Sequence, residues 1–139
     1  MIYLLDLNQT LAKRERGEPK LSPFTKHIEF ETYRADLVEF LKNKYVILIT
    51  ARPDKYKKLS LKSITSKTGW TPQEAYFAEK FNYPHVIKKH ILEEYIFPKH
   101  GIDGDEYFGI ESNPKTRAVY SNFGIEALDY RSFKTKMNF

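Results

Sequence analysis

Tyr45-Val46-Ile47-Leu48-Ile49-Thr50-Ala51-Arg52-Pro53 is the stretch on which the fold turns. Five consecutive apolar or aromatic residues, with no polar alternation, describe a strand covered on both faces, as in a parallel sheet. The run ends at Thr50, and Pro53 suits the first turn of a following helix, where its missing N–H costs nothing. That helix is expected to reach about residue 67, with Gly69 as its stop. Upstream, Ile2-Tyr3-Leu4-Leu5 repeats the pattern and halts at Asp6. Downstream, residues 75–78, 107–110 and 125–128 read as further strands. Helices are expected over 33–43, where Leu37, Phe40 and Leu41 share a face, and over 84–97, where Ile87, Ile91 and Tyr95 are four apart. A third starts at Pro114, with Val119 and Phe123 on one side, and the polar, basic residues 12–27 read as a loop. Strands alternating with helices predict an α/β fold: a three-layer, Rossmann-like parallel sheet with helices on both faces. In such a sheet the ligand site lies at the carboxyl ends of the strands.

A chain of 139 residues suits one domain spanning 1–139. No run approaches the roughly 18–20 apolar residues of a membrane span, and the opening run is too short for a signal peptide, so no membrane partner is expected. Without cysteine, disulfides, thiolate metal sites and cysteine nucleophiles are excluded, and a cytoplasmic address fits. Lys plus Arg number 23 against 18 Asp plus Glu, a net charge of +5 that permits an anionic partner but equally describes a moderately basic surface. His27, His85, His90 and His100 show no ligand spacing and read as surface or packing residues. Asp103-Gly104-Asp105 reads as a turn, and Trp70 as packing on the sheet.

Four polar groups fall where the chemistry of this fold belongs: Asp6 with Asn8 and Thr10, Thr50 with Arg52, Lys88 or Lys89 near a helix start, and Glu111-Ser112-Asn113. Each alone is a cap or a solvated side chain. Together, in this order, they resemble the motifs of the haloacid dehalogenase superfamily, whose members are mostly phosphohydrolases. The first motif, a strand followed by Asp-x-Asp-x-Thr-Leu, is matched by Leu5-Asp6-Leu7-Asn8-Gln9-Thr10-Leu11. The second, a strand ending in Thr-x-Arg, is matched by Ile49-Thr50-Ala51-Arg52. The third, a lysine, is matched by Lys88, otherwise by Lys89. The fourth, an acidic cluster after a strand, is matched by Ile110-Glu111-Ser112-Asn113. The resemblance extends from residue 2 to about 128.

The resemblance implies a magnesium-dependent phosphohydrolase or phosphotransferase in which Asp6 attacks phosphorus and forms an aspartyl-phosphate. Magnesium would be held by Asp6, the main chain of Asn8 and the fourth motif. Thr50 and Ala51, with Thr10, would surround the phosphoryl group, Lys88 would offset charge, and Arg52 would grip the substrate or form a surface salt bridge. Two positions depart from the pattern. Asn8 stands where an Asp protonates the leaving oxygen and activates water, and the loss of such a group costs about 10²–10⁴-fold. Ser112 stands where a metal-holding Asp belongs, so Glu111 or Asn113 would have to complete the site. A slow or specialised enzyme is expected; the alternative is a degraded domain that binds a phosphorylated ligand or a partner protein. The partner is a phosphorylated small molecule or a polynucleotide end. The latter is suggested by Lys13-Arg14-x-Arg16 and Lys55-x-Lys57-Lys58 and by segments too short for a substantial cap.

Overall fold

The computed structural model describes residues 1–13 and 21–139, so Arg14 and Arg16 lie outside the described residues. The continuous apolar runs become strands β1 (Ile2–Asp6), β4 (Tyr45–Pro53), β5 (Glu74–Ala78), β6 (Tyr107–Ile110) and β7 (Glu126–Leu128) of one sheet. Its order is β5-β4-β1-β6-β7 and every pairing is parallel. The chain first builds outward from β1 through β4 to β5. It then returns to the other side of β1 with β6 and β7, so the strand order reverses at β1. A crevice opens at such a reversal, above the carboxyl ends of the strands.

Alternation along the strands divides the core into two layers. Tyr3, Leu5, Val46, Leu48, Phe108 and Ile110 face one side, where α2 (Ala35–Leu41), α3 (Lys57–Thr68) and α7 (Tyr130–Met137) pack. Leu4, Ile47, Ile49 and Tyr107 face the other, beneath α4 (Pro84–Ile91), α5 (Phe97–His100) and α6 (Pro114–Asn122). The three-layer α/β architecture expected from the alternating runs is therefore present. Trp70 is buried in the first layer. A glycine at 109 permits the close approach of α6, since a Cβ there would lie 2.7 Å from the Tyr120 ring.

Several local expectations need correction. The strand at Tyr45 does not stop at Thr50: β4 continues through Thr50, Ala51 and Arg52, and Pro53 still pairs with Ala78 after a register shift. Proline is tolerated at such a strand end. A 3₁₀ turn over Asp54–Tyr56 then leads into α3, which Gly69 ends in the left-handed region as its position predicts. The helix expected over 84–97 is interrupted by a π turn, Leu92–Ile96, between α4 and α5. Pro98 has no N–H for a regular bond to the carbonyl of residue 94, and the turn widens just before it. The extra residue moves the buried stripe to Leu92 and Ile96 and turns Tyr95 outward. In α6 the buried positions are Thr116 and Tyr120, with Val119 and Phe123 at the margin.

Residues 12–27 are not all loop. β2 (Ala12–Lys13) pairs antiparallel with β3 (Thr32–Tyr33), and α1 (Phe24–Phe30) precedes β3. The Lys67 ammonium on α3 donates to the carbonyls of Ile28, Glu29 and Glu31 and so caps the last turn of α1. Among the described residues no large cap is evident. No helix among the described residues is long and apolar enough to cross a membrane.

Candidate active site

β1 ends at Asp6, and the next five residues fold back on it. Gln9 takes the left-handed region (φ 61°), a conformation that costs a side-chain-bearing residue about 1 kcal/mol or more. The reversal lets the Leu11 N–H reach the Asp6 carbonyl at 3.2 Å and the Ala12 N–H reach that of Leu7 at 2.8 Å. Thr10 is thereby buried with its hydroxyl donating to Asp6 Oδ2 at 2.9 Å. Leu7 and Leu11 anchor the turn in the core.

The lysine that meets Asp6 is Lys88. Its ammonium lies 2.7 Å from Asp6 Oδ1 and 2.5 Å from Glu111 Oε1, while Lys89 is exposed. α4 carries Lys88 on its buried side beside Ile87 and Ile91. Burial disfavours the Lys88 charge, but Asp6 and Glu111 outweigh it and hold the ammonium above its usual pKa. Glu111 is pushed up to about 7 by burial, against the pull of Lys88 and with a further push from Asp6. One cation serves two carboxylates, so the trio carries one net negative charge when all three are ionised.

The fourth stretch completes the corner differently from expectation. Glu111 Oε2 accepts from the Asn113 N–H at 3.0 Å, and Asn113 Oδ1 accepts from the Lys115 N–H at 2.9 Å as the cap of α6. The Asn113 side chain is thus occupied with its own helix, and Glu111 is turned towards Lys88. Ser112 reaches the site instead: its hydroxyl donates to Asp6 Oδ2 at 2.9 Å and lies 3.3 Å from the Asn8 carbonyl oxygen. Arg117 of α6, which no motif flagged, holds this turn through the carbonyls of Glu111 and Ser112.

Arg52 is neither a surface salt bridge nor part of the cleft wall. It is 2% exposed and forms a two-pronged pair with Glu31, Nη2–Oε2 2.6 Å and Nη1–Oε1 3.1 Å. Nη1 also donates to Ser60, and Nη2 donates to Asn8 Oδ1 at 2.9 Å. A guanidinium only donates, so this bond assigns the Asn8 oxygen to Arg52 and turns the amide NH₂ to the opposite side. Glu31 escaped the sequence reading because it is an isolated carboxylate 21 residues from its partner; no local pattern announces it. Thr50 is fully buried, with its hydroxyl accepting from the Arg52 N–H at 3.1 Å.

A cleft of about 850 Å³ opens above this corner. Asp6, Asn8, Ala51, Lys88, Glu111, Ser112 and Asn113 line it, whereas Thr10, Thr50 and Arg52, all buried, do not. Lys13 reaches the cleft, whereas Lys55, Lys57 and Lys58 form no part of its wall. The Ser112 hydroxyl has Asp6 Oδ2 at 2.9 Å and the Asn8 carbonyl at 3.3 Å, all oxygens, the donor type that magnesium takes. Magnesium commonly uses one or two carboxylates and leaves its other positions to water and substrate phosphate, so this donor set fits it. Among the described residues no group of three His, Asp or Glu side chains forms a ready-made cage.

No protein-family model and no curated protein matches the sequence. Solved structures do match in shape. A chain in the structure of the Pnkp1/Rnl/Hen1 RNA repair complex superposes with a TM-score of 0.72 at 15% identity, covering 91% of this chain and 41% of that one. A chain in the structure of the Pnkp1/Rnl/Hen1 complex gives 0.66 at 14% identity, covering 91% of this chain and 44% of that one. The likeness is one of fold, and this chain spans less than half the length of either neighbour.

Proposed function

We propose that this chain is a phosphoryl-transfer enzyme of the haloacid dehalogenase type, acting on phosphate esters through Asp6 with magnesium as cofactor. The observation that carries the reading is the Asp6 carboxylate at the cleft wall, held at one oxygen by Lys88 and at the other by the hydroxyls of Thr10 and Ser112. Three hydrogen bonds would hold this nucleophile in one orientation, and a preset nucleophile lowers the entropic barrier to attack. Magnesium, held by Asp6, the Asn8 carbonyl and the Ser112 hydroxyl, would neutralise charge between carboxylate and phosphoryl oxygens. Lys88 lowers the repulsion that an incoming phosphate meets at Asp6 and Glu111. Attack by an Asp6 oxygen forms the aspartyl-phosphate while the ester P–O bond breaks.

The departing oxygen then needs a proton, and Asn8 has none to give. Its NH₂, turned away from Arg52, can donate hydrogen bonds to a phosphoryl or leaving oxygen but cannot transfer a proton. Aryl phosphates, whose leaving groups need no proton, are therefore the fastest test substrates, alkyl esters react more slowly, and return of the enzyme to its free state is slow. The same observation favours a second reading, binding of a phosphorylated group without turnover. Fold likeness to chains of an RNA repair complex is compatible with a polynucleotide end as partner in either case. Hydrolysis of an aryl phosphate that requires magnesium and disappears in Asp6→Asn is the expected result. Turnover that survives Asp6→Asn contradicts the proposal; phosphate binding without turnover selects the second reading.

A further inference from the structure

The polar corner occupies only one end of the cleft. A volume of about 850 Å³ far exceeds what a phosphoryl group fills and lies within the roughly 300–1,000 Å³ of sites for whole small molecules. Leu21, Phe24, His27 and Phe30, on and just before α1, add apolar and aromatic surface to the same cleft beside Glu31 and Thr32, and Lys13 also lines it. Phe30 lines a concavity yet is 61% exposed. An apolar ring left wet in a cleft is an unfinished contact, because covering apolar surface is favourable. Phe24 is the firm part of the wall. Its ring stacks on His27 at 5.2 Å and 20°, rests on Tyr56 at 4.8 Å and has the Arg52 guanidinium 5.1 Å from its centre. The same guanidinium orients Asn8 at the polar end, so the two halves of the cleft are held in fixed relation.

We infer that the α1 half of the cleft is a subsite for a planar heteroaromatic base, and that the phosphate ester is carried by a nucleotide. The inference rests on the phosphoryl reading of the polar end and adds the identity of the substrate's body. Flat aromatic and aliphatic surfaces match a base, which offers a π-face whatever its identity. A sugar alone would leave the exposed Phe30 ring uncovered, whatever its hydroxyls found at Glu31 or Thr32. Lys13 supplies positive charge where the neighbouring phosphate of a longer strand would lie.

Calorimetry on the full chain with magnesium tests this, using adenosine monophosphate, ribose 5-phosphate and inorganic phosphate as probes. The nucleotide should bind at least about tenfold more tightly than ribose 5-phosphate, the scale of one stacked base. Phe30→Ala, at a position 61% exposed, should erase that difference and leave ribose 5-phosphate binding unchanged. Equal affinity for the two sugar phosphates, or a loss in Phe30→Ala that is the same for both, overturns the base subsite alone. Failure of all three probes to bind overturns the phosphoryl reading and this inference with it. A single-stranded, end-phosphorylated oligonucleotide that binds more tightly than the mononucleotide, with steep salt dependence, supports the subsite with a strand end as its source. Tighter binding of the mononucleotide supports it with a free nucleotide.

Discussion

Asn8 concentrates the proposed chemistry into one residue. Its main-chain carbonyl belongs to the proposed magnesium donor set, its carboxamide oxygen is taken by Arg52, and its NH₂ is a donor without acidity. Replacing the amide by a carboxyl keeps shape and volume and restores a transferable proton. Asn8→Asp should raise kcat on an aryl phosphate by about 10²–10⁴-fold, the usual worth of a general acid or base. Arg52, already 2.9 Å away, would receive the new charge. An unchanged kcat, measured in steady state with magnesium, would show that Asn8 is not what limits turnover. Lys88 shows the complementary case of a group whose identity cannot be altered cheaply. It is buried between two carboxylates, and breaking such a pair typically costs about 3–5 kcal/mol, because the charges left behind stay unpaired.

The elements that carry these residues were legible where burial on both faces left a continuous apolar run, as in β1, β4 and β6. They were illegible where a few long-range contacts hold a short piece in place. α1 has one buried side chain, Ile28, and is fixed from outside by Lys67; α7 has only Phe133 buried. Asp6, Thr10 and Lys88 could be singled out because their order along the chain resembles a known series of motifs, and the fold does bring the three together. Glu31 and Arg117 could not, since each acts on a partner remote in sequence or on main-chain carbonyls. The outer edge of the sheet supplies another such cluster. Glu74 of β5 accepts from Tyr45 of β4 at 2.5 Å, Tyr76 at 2.8 Å and His100 of α5 at 2.6 Å, with Lys99 3.3 Å away. Burial works against its charge, but these donors outweigh it and hold Glu74 down at about 2, against an ordinary 4.5. A carboxyl depressed on folding stabilises above its unfolded pKa and loses that contribution as pH falls through its folded one. The difference is worth at most about 3 kcal/mol. In urea titrations, Glu74→Gln should therefore be less stable than wild type at pH 7, and the gap should close between pH 4.5 and 2. A gap independent of pH would show that the charge on Glu74 contributes nothing.

Taken as one molecule, the fold brings residues 6, 88 and 111 within hydrogen-bond reach by reversing its strand order at β1. Asp6 ends β1, Glu111 follows β6 beside it, and α4 returns from the far edge to place Lys88 between them. Among the described residues, Ala12 and Lys13 of β2, Thr32 of β3 and Phe24, His27 and Phe30 of α1 line the side of the cleft. The account stands on Asp6 as the atom source that accepts the phosphoryl group, and capture of the acyl-phosphate addresses that directly. Wild-type protein is mixed with magnesium and an aryl phosphate, quenched in acid, and analysed by mass spectrometry of its peptides. Because Asn8 cannot activate water, one phosphoryl group should accumulate on the peptide containing Asp6 and be absent from Asp6→Asn. Release of product with no label on that peptide, or a label elsewhere in the chain, would contradict the account.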